Sequence, residues 1–265
     1  MNRKWNVYEQ NQLIRYGLWG EDVSMYSEMP VEYITGHAEF DGSDFLVNRD
    51  VLIPRVETVQ IVDLAEKLVA DKMGVDFAEI GTGSGAIGIA LFRRLKNKKV
   101  TATLSDISQG ALMIAAKNLS RLIGETNKVK LVESDLLDNI DPAIKFDLII
   151  ANLPYIPTSR VPRLPESVVG YEPQVALDGG PEGLTLIKKL LVQAKNRLQK
   201  DGALILEIDY SHDIPDFVDI REYQYEIVKD EFGQNRFLVA RKSECRQRRC
   251  GRGRFPWRGA SEPKR

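Results

Sequence analysis

Thiols and imidazoles are scarce in this sequence: its 265 residues hold two cysteines and two histidines. Cys245 and Cys250 both lie near the C-terminal end, so no disulfide framework or cysteine-based metal site supports the body. His37 and His212 alone argue against a zinc or iron centre, and no metal is expected. No apolar run approaches the ~18 residues of a membrane span, and Met1-Asn2-Arg3-Lys4-Trp5 lacks the apolar core of a secretion signal. The expected location is therefore the cytoplasm, with no membrane contact. Strong charge of one sign is also missing, since the net charge is −1. It is unevenly spread: residues 243–265 carry eight Lys or Arg against two Glu, which leaves −7 on the other 242 residues. The body offers no general attraction for nucleic acid. Only the basic tail does, as a weak contact with RNA or the ribosome or, on the other reading, as a solvated disordered extension. The chemistry is left to a cofactor, carboxylates and amides.

What is present is organised in three parts. Residues 1–53 read as a short helical cap plus a β-hairpin. Val7, Leu13, Ile14, Leu18 and Trp19 fit one or two short helices broken by Gly17 and Gly20, and Asp41-Gly42 between β-rich runs marks the hairpin. Residues 54–242 read as one domain. Pro54 suits a helix start, with the helix running to about Asp71. Strands are expected at about 76–81, 100–105, 128–133, 146–151, 203–208, 223–229 and 235–241. Helices are expected at about 85–96, 108–123 and 181–199, with a short one near 213–219. This alternation predicts an α/β fold, a doubly wound, seven-stranded, mostly parallel sheet. The last two runs predict a hairpin that puts an antiparallel strand at one end of it. Residues 243–265 form the tail, and a monomer is expected.

Two stretches carry the chemistry. Ala78-Glu79-Ile80-Gly81-Thr82-Gly83-Ser84-Gly85 joins the first sheet strand to its helix, where glycines admit a ligand against bare main chain and a helix N-terminus. Gly81-x-Gly83-x-x-Ala86 also fits a dinucleotide fingerprint, so the glycines alone leave a dehydrogenase open. Glu79, however, repels a pyrophosphate and attracts a cationic ammonium or sulfonium. Asp106 ends the second strand, where a carboxylate takes the hydroxyls of a ribose. Asp135 ends the third, where an adenine edge lies, with Leu136 to cover its face. Acids ending consecutive strands favour S-adenosylmethionine over NAD. The second stretch is the apolar strand Phe146–Ile150 followed by Asn152-Leu153-Pro154-Tyr155. It sets a carboxamide, main-chain carbonyls and a ring at a strand's carboxyl end, suited to a planar nitrogen group.

With those residues placed, the chain resembles the class I methyltransferases and, more closely, the release-factor glutamine N5-methyltransferases. The likeness runs from about residue 29 to 242. Its pieces are Pro30-Val31-Glu32-Tyr33-Ile34-Thr35-Gly36 with Glu39-Phe40, then Leu52-Ile53-Pro54-Arg55-Val56-Glu57-Thr58, the glycine loop, the Asn-x-Pro-Tyr corner, Tyr171-Glu172-Pro173-Gln174-Val175-Ala176-Leu177, and Gly179-Gly180-Pro181-Glu182-Gly183-Leu184. The resemblance implies methyl transfer from S-adenosylmethionine to the glutamine of the Gly-Gly-Gln tip of a peptide chain release factor. It implies that Glu79, Ile80, Gly81, Thr82, Gly83, Asp106, Leu136 and Asn152 hold the cofactor, with Arg55 and Thr58 shaping its methionine end. Asn152, Leu153, Pro154 and Tyr155 then hold the glutamine, with Asn152, Pro154 and Tyr155 as the catalytic set: the Asn152 oxygen and the Leu153 carbonyl accept the amide N–H bonds, Pro154 fixes the corner and Tyr155 packs on the amide plane. The sequence departs from the family at Leu153, where a proline is usual, which restores an N–H and loosens the corner. The helical segment ahead of the likeness is about 30 residues, where the family's is longer, so docking of the release factor is expected to be weaker or arranged differently. The Asn-Leu-Pro-Tyr form is also familiar in ribosomal RNA adenine dimethyltransferases. An adenine-N6 methyltransferase acting on ribosomal RNA is therefore the second reading, and a non-catalytic cofactor-binding module on the ribosome the third.

Overall fold

The computed structural model describes residues 3–242. The chain starts with α1 (Val7–Arg15), whose first turn is closed by a capping box between Asn6 and Glu9. A short turn and α2 (Val31–Thr35) follow, ended by Gly36 at φ 77. Strands β1 (His37–Phe40) and β2 (Ser43–Leu46) pair with Phe40 opposite Ser43. The connecting Asp41 and Gly42 both have positive φ, as a two-residue hairpin turn that follows strand twist requires.

The hairpin is tied to the body by polar contacts. Asn118 donates to and accepts from the Leu46 backbone at 2.9 and 2.7 Å, and Arg94 pairs with Asp41. Phe40 and Phe45 join the apolar cluster of the main sheet, while Ala38, Val47, Val51 and Ile53 pack with Ala111 and Ile114.

The body then alternates: α3 (Val59–Leu68), β3 (Gly74–Ile80), α4 (Ala86–Arg94), β4 (Lys99–Asp106), α5 (Gln109–Leu122), β5 (Val129–Glu133), β6 (Phe146–Ala151), α6 (Glu166–Val169), α7 (Thr185–Ala194), β7 (Leu198–Glu207), β8 (Tyr223–Lys229) and β9 (Asn235–Lys242). The seven strands β3 to β9 lie in the order β5-β4-β3-β6-β7-β9-β8. The first five positions are parallel, and each face carries its own apolar layer. This is the doubly wound arrangement expected from the alternation.

Four details differ from expectation. The strand antiparallel to the others is β9, which lies between β7 and β8 and not at the edge. Its run Phe237–Ala240 is buried, whereas β8 alternates toward solvent, so the more apolar strand takes the interior place. The helix expected from Pro54 starts only at Val59, after a tight turn at Val56–Thr58, because Arg55 remains extended. The helix expected over 181–199 is confined to Thr185–Ala194, and near 213–219 there is only the short turn Ile214–Asp216.

The register decides where the site lies. Ser105 on β4 aligns with Ile80 on β3, Ile80 with Ala151 on β6, and Ala151 with Leu206 on β7. One residue beyond that row stand Asp106, Gly81, Asn152 and Glu207. The chain reverses its winding between β3 and β6, and in open sheets ligands settle outside the carboxyl ends of the strands at such a reversal. No helix among the described residues is long and apolar enough to cross a membrane. The basic tail lies outside the described residues.

Candidate active site

A cavity of about 340 Å³ opens at this rim, and both stretches singled out in the sequence line it. At one end are Glu79, Ile80, Gly81, Thr82, Gly83, Asp106, Asp135 and Leu136; at the other are Arg55, Thr58, Asn152, Leu153 and Pro154. Gly81 has φ 71, and a Cβ there would sit 3.0 Å from the Leu153 side chain. Leu153 is itself 5% exposed. The leucine at this corner therefore roofs the glycine turn and joins the two ends by direct packing.

Glu79 sits 1% exposed at the end of β3. Its Oε2 accepts from the Thr82 hydroxyl and, at 3.0 Å, from the Gly88 N–H. Burial pushes its carboxyl up to about 8, against the pull of those two donors. Asp106 accepts from Gly83 N–H at 2.8 Å and from Ser108 N–H at 2.9 Å, one on each oxygen. Burial raises its pKa as well. A carboxylate offers about four acceptor directions, so Asp106 shapes the turn and still has lone pairs for a ligand hydroxyl. Asp135 is half-exposed and meets Lys189 at 2.6 Å. Leu136 beside it is buried at φ 55, an uncommon conformation for a leucine.

The other end is a relay of side chains from separate elements. The Thr58 hydroxyl donates to Glu207 Oε2 at 2.9 Å, and the Tyr155 hydroxyl donates to Glu207 Oε1 at 2.9 Å. Asn152 Nδ2 donates to Thr58 Oγ1 at 3.4 Å. Because Thr58 commits its proton to the carboxylate, its oxygen can only accept from Asn152, which leaves Asn152 Oδ1 as the free acceptor. Glu207 is 2% exposed; burial raises its pKa while the two hydroxyls oppose the rise. Tyr155 does not line the cavity. Its ring is partly buried behind the corner, and burial followed by the Glu207 charge raises its pKa. The Tyr155 hydroxyl is committed to Glu207.

The long segment after the corner folds back on it. Gly179 N–H donates to Ile156 O and Thr158 N–H to Gly180 O, both at 2.9 Å. A Cβ on Gly183 would fall 2.1 Å from Tyr155 O, and one on Gly179 2.6 Å from Pro154 O. Bare glycines at both positions let this strap lie directly against the Pro154–Tyr155 backbone. Pro173, Val175 and Ala176 then complete the cavity wall, and Glu172 pairs with Arg55 at 2.6 Å.

Glu207 was not read from the sequence, although it ends a strand as Asp106 does. A nucleoside accounts for the acids of the first three strands only, and nothing local links Glu207 to Thr58. Thr58 and Arg55 do line the cavity as expected, but their visible partners are Glu207 and Glu172.

The lining also bears on the cofactor. Asp50, Glu79, Asp106 and Asp135 are its acids, and Arg55 is the single Lys or Arg among the lining residues, already paired with Glu172. That set of acids suits a phosphate-free nucleoside with a cationic tail and opposes a pyrophosphate.

Comparison with known proteins agrees. Residues 56–162 match the Methyltransferase small domain family. The chain is 38% identical over 214 residues to the release factor glutamine methyltransferase of Koribacter versatilis, covering 80% of this chain and 75% of that protein. It is 39% identical over 220 residues to that of Moorella thermoacetica, covering 81% and 76%. Among solved structures, the ribosomal protein L11 methylase of Lactobacillus delbrueckii subsp. bulgaricus shares the fold at TM-score 0.50 and 23% identity, covering 72% of this chain and 81% of that one. A T. thermophilus 16S rRNA methyltransferase in complex with AdoMet and guanosine does so at TM-score 0.54 and 16% identity, covering 78% and 50%.

Proposed function

The chain belongs to the release factor glutamine methyltransferase family, and from that premise we propose that it transfers a methyl group from S-adenosylmethionine to the side-chain amide nitrogen of the glutamine in the Gly-Gly-Gln motif of peptide chain release factors. The observation that carries this reading is the shared cavity: the glycine turn with its acids and the Asn152 corner are two ends of one space. When bound, S-adenosylmethionine supplies an electrophilic methyl group on a sulfonium. Glu79, Gly81, Thr82, Gly83, Asp106, Asp135 and Leu136 are the residues that hold it.

A carboxamide nitrogen is a poor nucleophile because its lone pair is delocalised into the carbonyl. The corner compensates by orientation. Asn152 Oδ1, kept free by the Glu207–Thr58 relay, accepts one amide N–H, and the Leu153 carbonyl accepts the other. Fixing the nitrogen in line with the methyl supplies several kcal/mol, and two carbonyl dipoles stabilise the positive charge that develops on it. With the amide nitrogen held by these two acceptors, the surplus proton would pass from the product nitrogen to water. No general base is needed before transfer. Tyr155 acts as a positioning residue through Glu207. In the same reading residues 1–53 form the cap and hairpin and residues 54–242 the methyltransferase domain.

Mass spectrometry of the Gly-Gly-Gln peptide of a purified release factor, after incubation with the protein and S-adenosylmethionine, tests the assignment. The expected result is one added methyl group on the glutamine. Methyl transfer to ribosomal RNA alone overturns it.

A further inference from the structure

A second, more open cavity of about 570 Å³ lies between the N-terminal cap and the strap that follows the corner. Arg55 lines both cavities, so the two adjoin at the acceptor end. Four carboxylates face the second one, Glu9, Glu28, Glu32 and Glu172, against the two cations Arg3 and Arg55. Both cations are already committed: Arg3 meets Glu9 at 2.5 Å, and Arg55 meets Glu172 Oε1 at 2.6 Å. Glu32 accepts from the Tyr8 hydroxyl at 2.8 Å. Glu172 contributes the decisive detail. Its side chain is 1% exposed, yet its Oε2 has no hydrogen-bond partner. Burial, helped by the Glu32 charge, raises this carboxyl despite Arg55 and a lesser contribution from the Ile53 backbone.

We propose that this groove is a substrate subsite that takes a cationic side chain, a guanidinium or an ammonium, from the same peptide that carries the methyl-accepting glutamine. The acceptors are Glu28, Glu32 and Oε2 of Glu172. Surplus negative charge repels a phosphate and so disfavours RNA in this place. A guanidinium suits the set best, since its fork meets several carboxylate oxygens at once. The inference rests on the acceptor being a peptide glutamine, because Arg55 is a wall residue of both cavities and so sets the groove beside the main one.

The test uses Gly-Gly-Gln peptides with one arginine at successive positions on either side of the glutamine, each paired with its citrulline counterpart. Binding to the protein is followed by fluorescence anisotropy, and methylation by steady-state kinetics. In one register the arginine peptide binds about tenfold tighter than its counterpart, a difference of about 1.4 kcal/mol, and this is seen in KM with kcat unchanged. The Glu28→Gln, Glu32→Gln double variant lowers the arginine peptide to the citrulline level and leaves the citrulline peptide as it was. If no register shows a preference, or the preference survives the double substitution, the subsite is overturned. Methylation of citrulline peptides in that case leaves the proposed reaction standing. An arginine preference in binding that the double variant removes, with no peptide methylated, supports the groove and overturns the reaction.

Discussion

The two ends of the cavity are built in opposite ways. At the glycine turn the two buried acids are held mainly by main-chain N–H groups of the turn and its helix: Glu79 by the Gly88 N–H and the Thr82 hydroxyl, Asp106 by the Gly83 and Ser108 N–H groups. At the corner, Asn152 is held by Thr58, Thr58 by Glu207 and Glu207 by Tyr155, with partners up to 149 positions apart in the chain. The first end is a local motif that holds a ligand. The second is an assembly whose members orient one amide. Damage at the first should therefore weaken binding, and damage at the second should slow transfer.

The largest expected effect is at Asn152. Asn152→Ala should lower kcat by at least ~100-fold, as loss of a group acting mainly in the transition state does, while calorimetry with S-adenosylhomocysteine shows affinity nearly unchanged. Equal loss of both would erase the division between the ends.

Glu207→Gln comes next. A carboxylate accepts from both hydroxyls, whereas a carboxamide puts an NH2 donor in place of one oxygen and forces either Thr58 or Tyr155 to reverse its bond. We expect kcat to fall about tenfold, worth ~1.4 kcal/mol, with cofactor affinity intact in the same calorimetry.

Glu79→Gln probes the other end. With its carboxyl pushed up to about 8, Glu79 binds a proton in the folded, ligand-free chain that the unfolded chain has released. Its contribution to stability therefore falls as pH rises from the ordinary carboxylate range toward 8. The glutamine variant should lose that pH dependence in thermal unfolding. In binding, a cationic ligand favours the ionised form, so wild-type affinity should rise with pH up to about 8 with release of a proton. The variant should bind about tenfold more weakly, a shift of ~1.4 kcal/mol, without the pH effect and with kcat little changed.

The smallest effect belongs to Lys189→Met. The Asp135–Lys189 pair has both side chains more than two-fifths exposed, and such pairs contribute about 0–1 kcal/mol. Thermal unfolding should shift little, and less in high salt.

The same contrast explains what was legible in advance. The turn and its acids form a contiguous run and two strand ends, so periodicity and spacing expose them. The strand-to-corner switch at Asn152 was legible for the same reason, as was the Asp41-Gly42 hairpin. Glu207, the burial of Tyr155 behind the corner and the inward place of β9 were not, because each follows from which strands lie side by side. The strap residues Gly179 and Gly183 stood out through resemblance alone; their physical reason is the Pro154 and Tyr155 carbonyls that leave no room for a Cβ.

By itself the sequence determined the alternating strands and helices, the bare turn at Gly81–Gly85, the acids at the ends of β3 and β4 and after β5, and the polar corner. Those depend on hydrophobic period, glycine's backbone freedom and residues a few positions apart. Only the tertiary structure decided that Ser105, Ile80, Ala151 and Leu206 share one row, because parallel register is fixed by packing between distant segments. That row sets Asp106, Gly81, Asn152 and Glu207 on a single rim, and the rim turns two motifs into one site.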